Sequence, residues 1–368
     1  MKINGTAYRS LWRPTDDRNS IRIFDQTRFP WEVETLALRD EDAVAHAIRS
    51  MQVRGAPLIG AVAAYGLIFA LQNDASDAAL EAAAHRLVET RPTAINLRWA
   101  IERMVKHLRT VPVAQRVEAG YAEADALCDE DVAVNEAIGR HGLELIRKAW
   151  EAKGKQGTVN VLTHCNAGWI ATVDWGTALA PIYMAHDEGI PVHVWVDETR
   201  PRNQGSLLTA FELGSHGVAH TVIADNAGGH YMQAGQVDLV IVGTDRVTAQ
   251  GDVANKIGTY LKALAAHDNN VPFWVALPSS TIDWRVRDGV KEIPIEERSA
   301  DEVLYVTGLE ADGTPGRVRV APPASNGANP AFDVTPARLV TGLITERGCC
   351  DASEAGLRGL FPAENNPA

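Results

Sequence analysis

Two side chains of this sequence, Asp245 and Cys165, are best placed to move protons, and each follows an apolar, β-branched run. Residues 237–242 (VDLVIV) are apolar except for Asp238 and read as a strand buried on both faces. Gly243 ends that run, and Asp245 and Arg246 follow at once. Desolvation beside such a strand disfavours the charged carboxylate, so Asp245 is expected to keep its proton and serve as a general acid. Cys165 ends the run 158–163, between His164 and Asn166. A turn with Gly168 and a helix start are expected next, and a helix dipole there would favour the thiolate. The thiol is then available as base, acid or nucleophile. Asn255 and Lys256 close the loop GDVANK (251–256), ahead of a helix expected over 257–266, where free backbone N–H groups make an anion cradle. Arg54, before Gly55-Ala56-Pro57, and Arg91, before Pro92, each precede a helical pattern and are further anion ligands; Arg98 has an equal claim on charge alone. A weak acid, a thiol and several Arg, Lys, Asn and Gln donors fit proton transfer on a phosphorylated small molecule.

The elements that must position these groups fall into two patterns. Over the first 125 residues, short strand-like pieces (20–26, 31–37) give way to helices expected over 40–50, 58–73 and 77–90 and another ending near Leu108. The stretch 58–73 is apolar nearly all round and is therefore buried. A long helical stretch over 113–150 follows, whose acid-rich part reads as a solvated face. Beyond Gly157 the chain alternates strands (158–163, 192–196, 218–224, 237–242, 273–277) with helices (172–188, 206–213, 257–266), the signature of a parallel α/β sheet. The expected organisation is a mainly helical N-terminal domain (1–125), a connecting helix (126–152), a Rossmann-like catalytic domain (153–350) and a C-terminal tail (351–368) without fixed structure. Residues 336–346 are expected to be a last helix. Four strand tips carry polar clusters: 163–168, 197–205, 225–230 and 243–246. If the strands are neighbours, these tips form one rim, and ligands bind beyond the carboxyl ends of parallel strands.

Composition narrows the function. With 368 residues, 46% apolar and 22% charged, the chain is an ordinary globular one. Its net charge of −12 argues against nucleic acid, which wants a basic face, but not against a small phosphorylated ligand. No G-x-G-x-x-G follows the first strand, so no dinucleotide cofactor is expected. The four cysteines have no C-x-x-C spacing and no metal-ligand set is evident; adjacent Cys349 and Cys350 are expected to be dispensable. The N-terminus lacks an apolar signal core and no run spans a bilayer, so a cytoplasmic location is expected.

Eight strings, in order along nearly the whole chain, closely resemble the methylthioribose-1-phosphate isomerase family. They are RGAPLIG (54–60), TRPTAINL (90–97), LTHCNAG (162–168), DETRPRNQG (197–205), DNAGG (225–229), GTDRVTAQGDVANKIGTY (243–260), PFWVALPSSTID (272–283) and NPAFDVTP (329–336). That family is related to the regulatory alpha, beta and delta subunits of the exchange factor for eukaryotic initiation factor two. The resemblance implies a helical N-terminal and a Rossmann-like C-terminal domain, a homodimer, and an aldose–ketose isomerisation without cofactor or metal. It further implies that Asp245 and Cys165 form the catalytic pair, and that Arg54, Gly55, Ala56, Arg91, Gln204, Asn255 and Lys256 bind substrate. Thr244, where the family often has Ala, and the extra Gly327-Ala328 are departures away from the pair. A related sugar 1-phosphate (5-deoxyribose 1-phosphate or ribose 1,5-bisphosphate) is the alternative substrate, and a non-catalytic scaffold the alternative role. Apolar walls would favour a methylthio group; Trp169, Trp175 and Met184 are the residues offered for them, though core packing is the stronger reading of all three.

Overall fold

The computed structural model describes residues 1–3 and 5–362. Its first half is built on one apolar helix. Helix α1 (Glu41–Ser50) starts where Asp40 accepts a hydrogen bond from the Ala43 amide at 2.7 Å, the cap its sequence calls for. Helix α2 (Ala56–Leu71) has thirteen of its sixteen residues buried, and α1, α3 (Asp77–Val88) and α4 (Ile95–Arg109) pack around it. A three-stranded antiparallel sheet (Leu11–Trp12, Ile21–Phe24, Thr35–Leu38) adds Leu11, Ile21, Ile23 and Leu38 to the same core.

Helix α5 (Arg116–Ala152) is a single helix of 37 residues that serves two cores. Ala124, Leu127 and Cys128 pack into the helical one, while Ile138, Leu143 and Ile146 pack against the sheet that follows. Gly139 and Gly142 let α6 (Ala180–Asp187) approach: a Cβ at Gly142 would lie 2.4 Å from the Pro181 ring.

The sheet has seven strands: β1 (Val159–Thr163), β2 (Val192–Asp197), β3 (Ala219–Ile223), β4 (Leu239–Val242), β5 (Phe273–Ala276), β6 (Gly342–Thr345) and β7 (Gly348–Cys350). Their spatial order is β7-β6-β5-β4-β1-β2-β3, parallel throughout except for the β7 edge. The chain runs outward from β1 to β3, then returns to lay β4 on the other side of β1. Strand order reverses between β1 and β4, and that is where doubly wound sheets bind ligands. A second sheet (Ile282–Asp283, Arg246–Thr248, Val253–Lys256, Phe332–Thr335) stands beyond the end of β4.

Four expectations need correction. Residues 336–346 form a short 3-10 turn (Ala337–Leu339) and then β6, not a helix. A short, wholly buried apolar run looks alike as helix or parallel strand, and Gly342, whose Cβ would meet Trp274 at 2.4 Å, belongs to close strand packing. Residues 253–256 are a strand rather than a loop, and the following helix (Thr259–Asp268) starts two residues later than expected, so Lys256 lies three residues before it rather than at its start. The helix expected over 172–188 begins only at Ala180. The tail is not loose in its described part: Glu354–Leu360 is helical, and Leu357 and Phe361 are fully buried. The remainder of that expectation, 363–368, lies outside the described residues. Among the described residues no helix is long and apolar enough to cross a membrane.

Candidate active site

The tips of β1 and β4 open into a cleft of about 750 Å³, mouth included, between the sheet and the N-terminal turn of α2. Its walls include all nine positions that the family resemblance implies: Arg54, Gly55, Ala56, Arg91, Cys165, Gln204, Asp245, Asn255 and Lys256.

The β1 tip is held in an unusual backbone state. Cys165 has φ 68° and Thr199, at the neighbouring β2 tip, φ 65°, the left-handed region that non-glycine residues avoid. The two are locked together, since the Cys165 amide donates to Thr199 Oγ1 at 2.8 Å and the Cys165 carbonyl accepts from Thr209 Oγ1 at 2.7 Å. Strain kept by such bonds marks a place where orientation matters. The thiol has no α-helix start behind it, contrary to expectation: the chain enters a short 3-10 turn (Trp169–Ala171) instead. Burial therefore dominates and raises its pKa, with Arg54 and Lys256 pulling the other way.

Next to it, Asn166 accepts from Arg54 Nη2 at 2.5 Å and donates to Glu212 Oε1 at 2.8 Å. Glu212, on α7 (Ala210–His216), is fully buried and also accepts from the Trp169 and Ile170 amides and from the Tyr183 hydroxyl. The carboxylate thus fixes the loop that holds Arg54. Arg54 itself is buried, which lowers its pKa, and its Nε has no partner among the described residues. Gly55 follows at φ 94°; a Cβ there would sit 2.3 Å from the Ala171 carbonyl oxygen. Only glycine lets the start of α2 come this close to the β1 loop.

Across the cleft, Asp245 follows β4, its amide bonded to the Ala254 carbonyl at 3.0 Å. Burial raises its pKa, the direction its apolar flank predicts, against the opposing pull of Lys256, Arg91 and Arg54. Lys256 is buried too, its pKa lowered by desolvation, and its ammonium lies 4.3 Å above the Phe332 ring on the adjacent strand. Asn255 is anchored to Thr259 Oγ1 at 3.0 Å.

Arg91 reaches the cleft from the turn after α3 and is paired with Glu296 at 3.0 Å. Gln204 is buried with its Oε1 unpartnered among the described residues, as is Arg202 Nε. Arg202 and Phe332 lie inside strings of the family resemblance without standing out as site residues, and Met51 and Glu212 lie outside those strings; nothing in their local sequence marks them. The expected four-tip rim is a three-tip one. Asp225, at the β3 tip, faces away and accepts from the Thr199 and Arg200 amides at 2.7 Å, because β3 is the edge strand, two places from the switch. Arg98, Trp169, Trp175 and Met184 do not line the cleft either; its apolar wall comes from Met51, Pro57, Ala171, Pro278 and Phe332. His164, Asp197 and Asp225 bring ligand atoms within 4.8 Å of one another. Lys262 Nζ already lies 3.2 Å from Asp197 there, and both His164 nitrogens are engaged, by Asp197 and by the Ile257 carbonyl. That group reads as a buried polar brace behind Cys165.

A doubly wound α/β sheet with an acid, a thiol and four cationic side chains around its switch-point cleft defines a site with the charge to hold a small anion beside groups able to transfer protons. The chain belongs to the initiation factor 2 subunit family, which matches residues 52–352. Over 364 residues it is 84% identical to a methylthioribose-1-phosphate isomerase of Gluconobacter oxydans, covering 99% of both chains. Among solved structures it resembles 5-methylthioribose 1-phosphate isomerase from Pyrococcus horikoshii, with a TM-score of 0.82 and 37% identity over 98% of this chain and 99% of that one. It also resembles a protein from A. fulgidus described as translation initiation factor eIF-2B, subunit delta, with a TM-score of 0.79 and 37% identity over 97% and 100% of the two chains.

Proposed function

We propose that this chain is an aldose–ketose isomerase that converts 5-methylthio-α-D-ribose 1-phosphate to 5-methylthio-D-ribulose 1-phosphate in methionine salvage. The observation that carries the reaction class is the convergence of Asp245 and Cys165 on one cleft whose other walls supply Arg54, Arg91 and Lys256. The full-length likeness to a relative of that name supports the substrate. The apolar wall of Met51, Pro57, Ala171, Pro278 and Phe332 favours a methylthio group over a second phosphate.

Phosphate on the anomeric oxygen prevents spontaneous opening of the sugar ring, so an acid must protonate the ring oxygen. Asp245 takes that role, since burial favours its neutral form. The hydrogen at C2 must then reach C1. Cys165 is the group assigned to that step, with its orientation fixed by Thr199 and Thr209. Arg54, Arg91, Lys256, Asn255, Gln204 and the turn at Gly55-Ala56 hold phosphate and hydroxyls, and so contribute position rather than reactivity. The same reading makes the protein a cytoplasmic homodimer, with the domain limits 1–125, 126–152 and 153–350. A phosphorus and carbon NMR assay on the purified protein tests the reaction. Ketose formed from the methylthio sugar phosphate and absent in Asp245→Asn supports it. Turnover of only the 5-deoxy or 1,5-bisphosphate analogue reassigns the substrate, and inactivity of folded protein on all three removes the enzyme reading.

A further inference from the structure

The cleft arginine Arg91 does not stand alone. Its Nη2 lies 3.0 Å from Glu296 Oε2, Glu296 Oε1 lies 2.9 Å from Arg298, Arg298 lies 2.8 Å from Glu302, and Glu302 lies 2.7 Å from Arg202. Both ends of this alternating chain, Arg91 and Arg202, line the cleft; the three middle members do not. The chain is largely shielded, its side chains between 15% and 27% exposed, so its charges are screened less than those of surface pairs. Burial would push Glu302 up, yet Arg298, Arg202 and Asn329 hold it down at about 2.

The segment that carries Glu296, Arg298 and Glu302 is itself fixed. The Arg298 amide bonds the Asn329 carbonyl at 3.0 Å, and the Ala331 amide bonds the Glu296 carbonyl at 2.9 Å. The Asn329 amide donates to Glu297 Oε1 at 2.6 Å. Ala331 then accepts from the Ile257 amide at 3.0 Å, immediately after Lys256. A rigid carboxylate is therefore aimed at Arg91 from outside the cleft, from a backbone tied to the strand that carries Lys256.

We propose that Glu296 is a positioning residue for the isomerisation: it takes one edge of the Arg91 guanidinium and so presents the other edge to the phosphate of the substrate. Glu302 does the same for Arg202 at the far end, leaving Arg202 Nε buried and free of partners among the described residues. The planar guanidinium has five donors in a fixed fork, so occupying one edge orients the rest. The proposal rests on Arg91 being a phosphate ligand.

Positioning and simple charge masking predict opposite signs. A carboxylate that merely masks Arg91 weakens anion binding, and its removal tightens it. A carboxylate that positions Arg91 strengthens anion binding despite its charge, and its removal weakens it. The test is calorimetric titration of the full-length protein with inorganic phosphate, alongside steady-state kinetics. Glu296→Ala should raise the phosphate Kd and the substrate KM by about tenfold, the scale of one lost charge-assisted hydrogen bond, with kcat nearly unchanged. Glu296→Gln keeps an acceptor oxygen and should recover most of that loss. The double variant with Arg91→Ala should bind phosphate no worse than Arg91→Ala alone. Tighter or unchanged binding in Glu296→Ala, with Arg91→Ala weakened, overturns the proposal itself. Unaltered phosphate affinity in Arg91→Ala overturns the ligand role beneath it. If the alanine variant does not fold, the glutamine variant carries the test with the same sign at about threefold, because a neutral acceptor is weaker than a charged one.

Discussion

Burial gives Asp245 and Cys165 the same direction of shift, and the two proposed roles turn that into opposite pH slopes. A general acid works while protonated, so kcat/KM should fall as pH rises through the raised pKa of Asp245. A thiolate base works while ionised, so a relay through Cys165 adds a limb that rises with pH through the raised thiol pKa. A direct hydride shift from C2 to C1 needs no thiolate and leaves the falling limb alone. Asp245→Asn and Cys165→Ser should each lower turnover by ~10² or more with unfolding midpoints unchanged, the scale of a lost acid or base. The pH profile of each variant checks the assignment: Asp245→Asn should lose the falling limb. Near-normal turnover in either variant removes that residue from the chemistry. Arg54→Ala belongs to the same scale. It strips a ligand and also leaves Asn166 and Glu212 without their cation, so the substrate KM should rise by roughly tenfold or more. An unchanged KM would exclude Arg54 from phosphate binding.

At the scale of elements, what was legible follows from how local the determinant is. Helix α1 announces itself through Asp40, helix α2 through its unbroken apolar run, and the parallel strands through β-branched stretches. Asp245 and Cys165 stand out because a polar residue at the end of such a strand is conspicuous. The segment 253–256 reads as a loop because VANK has no pattern of its own; it is a strand by pairing with Phe332–Thr335, nearly eighty residues on. The low pKa expected for Cys165 failed for a related reason. It assumed a helix that the chain delays until Ala180, where Pro181 stands in the first turn. The packing of that helix on α5 gives a further test. Gly142→Ala gains up to about 1 kcal/mol of helix propensity, whereas overpacking costs about 1–3 kcal/mol, and the added Cβ would meet the stiff Pro181 ring at 2.4 Å. The clash should win, giving a lower melting temperature; a stabilised variant would show that α5 and α6 can part without cost.

The whole molecule brings residues from two cores to one cleft: Arg54 and Arg91 from around α2, Cys165 and Asp245 from the tips of the seven-stranded sheet, and Lys256 from the four-stranded sheet beside it. Neither core alone holds the set, and pairings across 112 residues, such as Arg54 with Asn166, are not written in any local stretch. The C-terminal segment shows the same dependence, and composition alone misjudged it. Leu357 and Phe361 are fully buried in the core around β4 and β5, while Ala352 presses on Gly251, where a Cβ would find its backbone at 2.5 Å. Glu354 accepts from Gln250 at 2.8 Å and from Arg287 at 2.5 Å. Gly251 and Gln250 form the turn between the strands that begin beside Asp245 and end at Lys256. The segment therefore clamps the hairpin that sets the distance between the proposed acid and the proposed phosphate ligand. A chain ended after Cys350 should lose stability by about 3–6 kcal/mol from Leu357 and Phe361 alone, at roughly 1.5–3 kcal/mol for each buried side chain. Its kcat/KM should also fall, even at temperatures where circular dichroism reports it folded. The milder Leu357→Ala, which leaves Glu354 in place, should reduce the urea midpoint while sparing kcat/KM. Full activity in the shortened chain would show that the hairpin holds its geometry unaided.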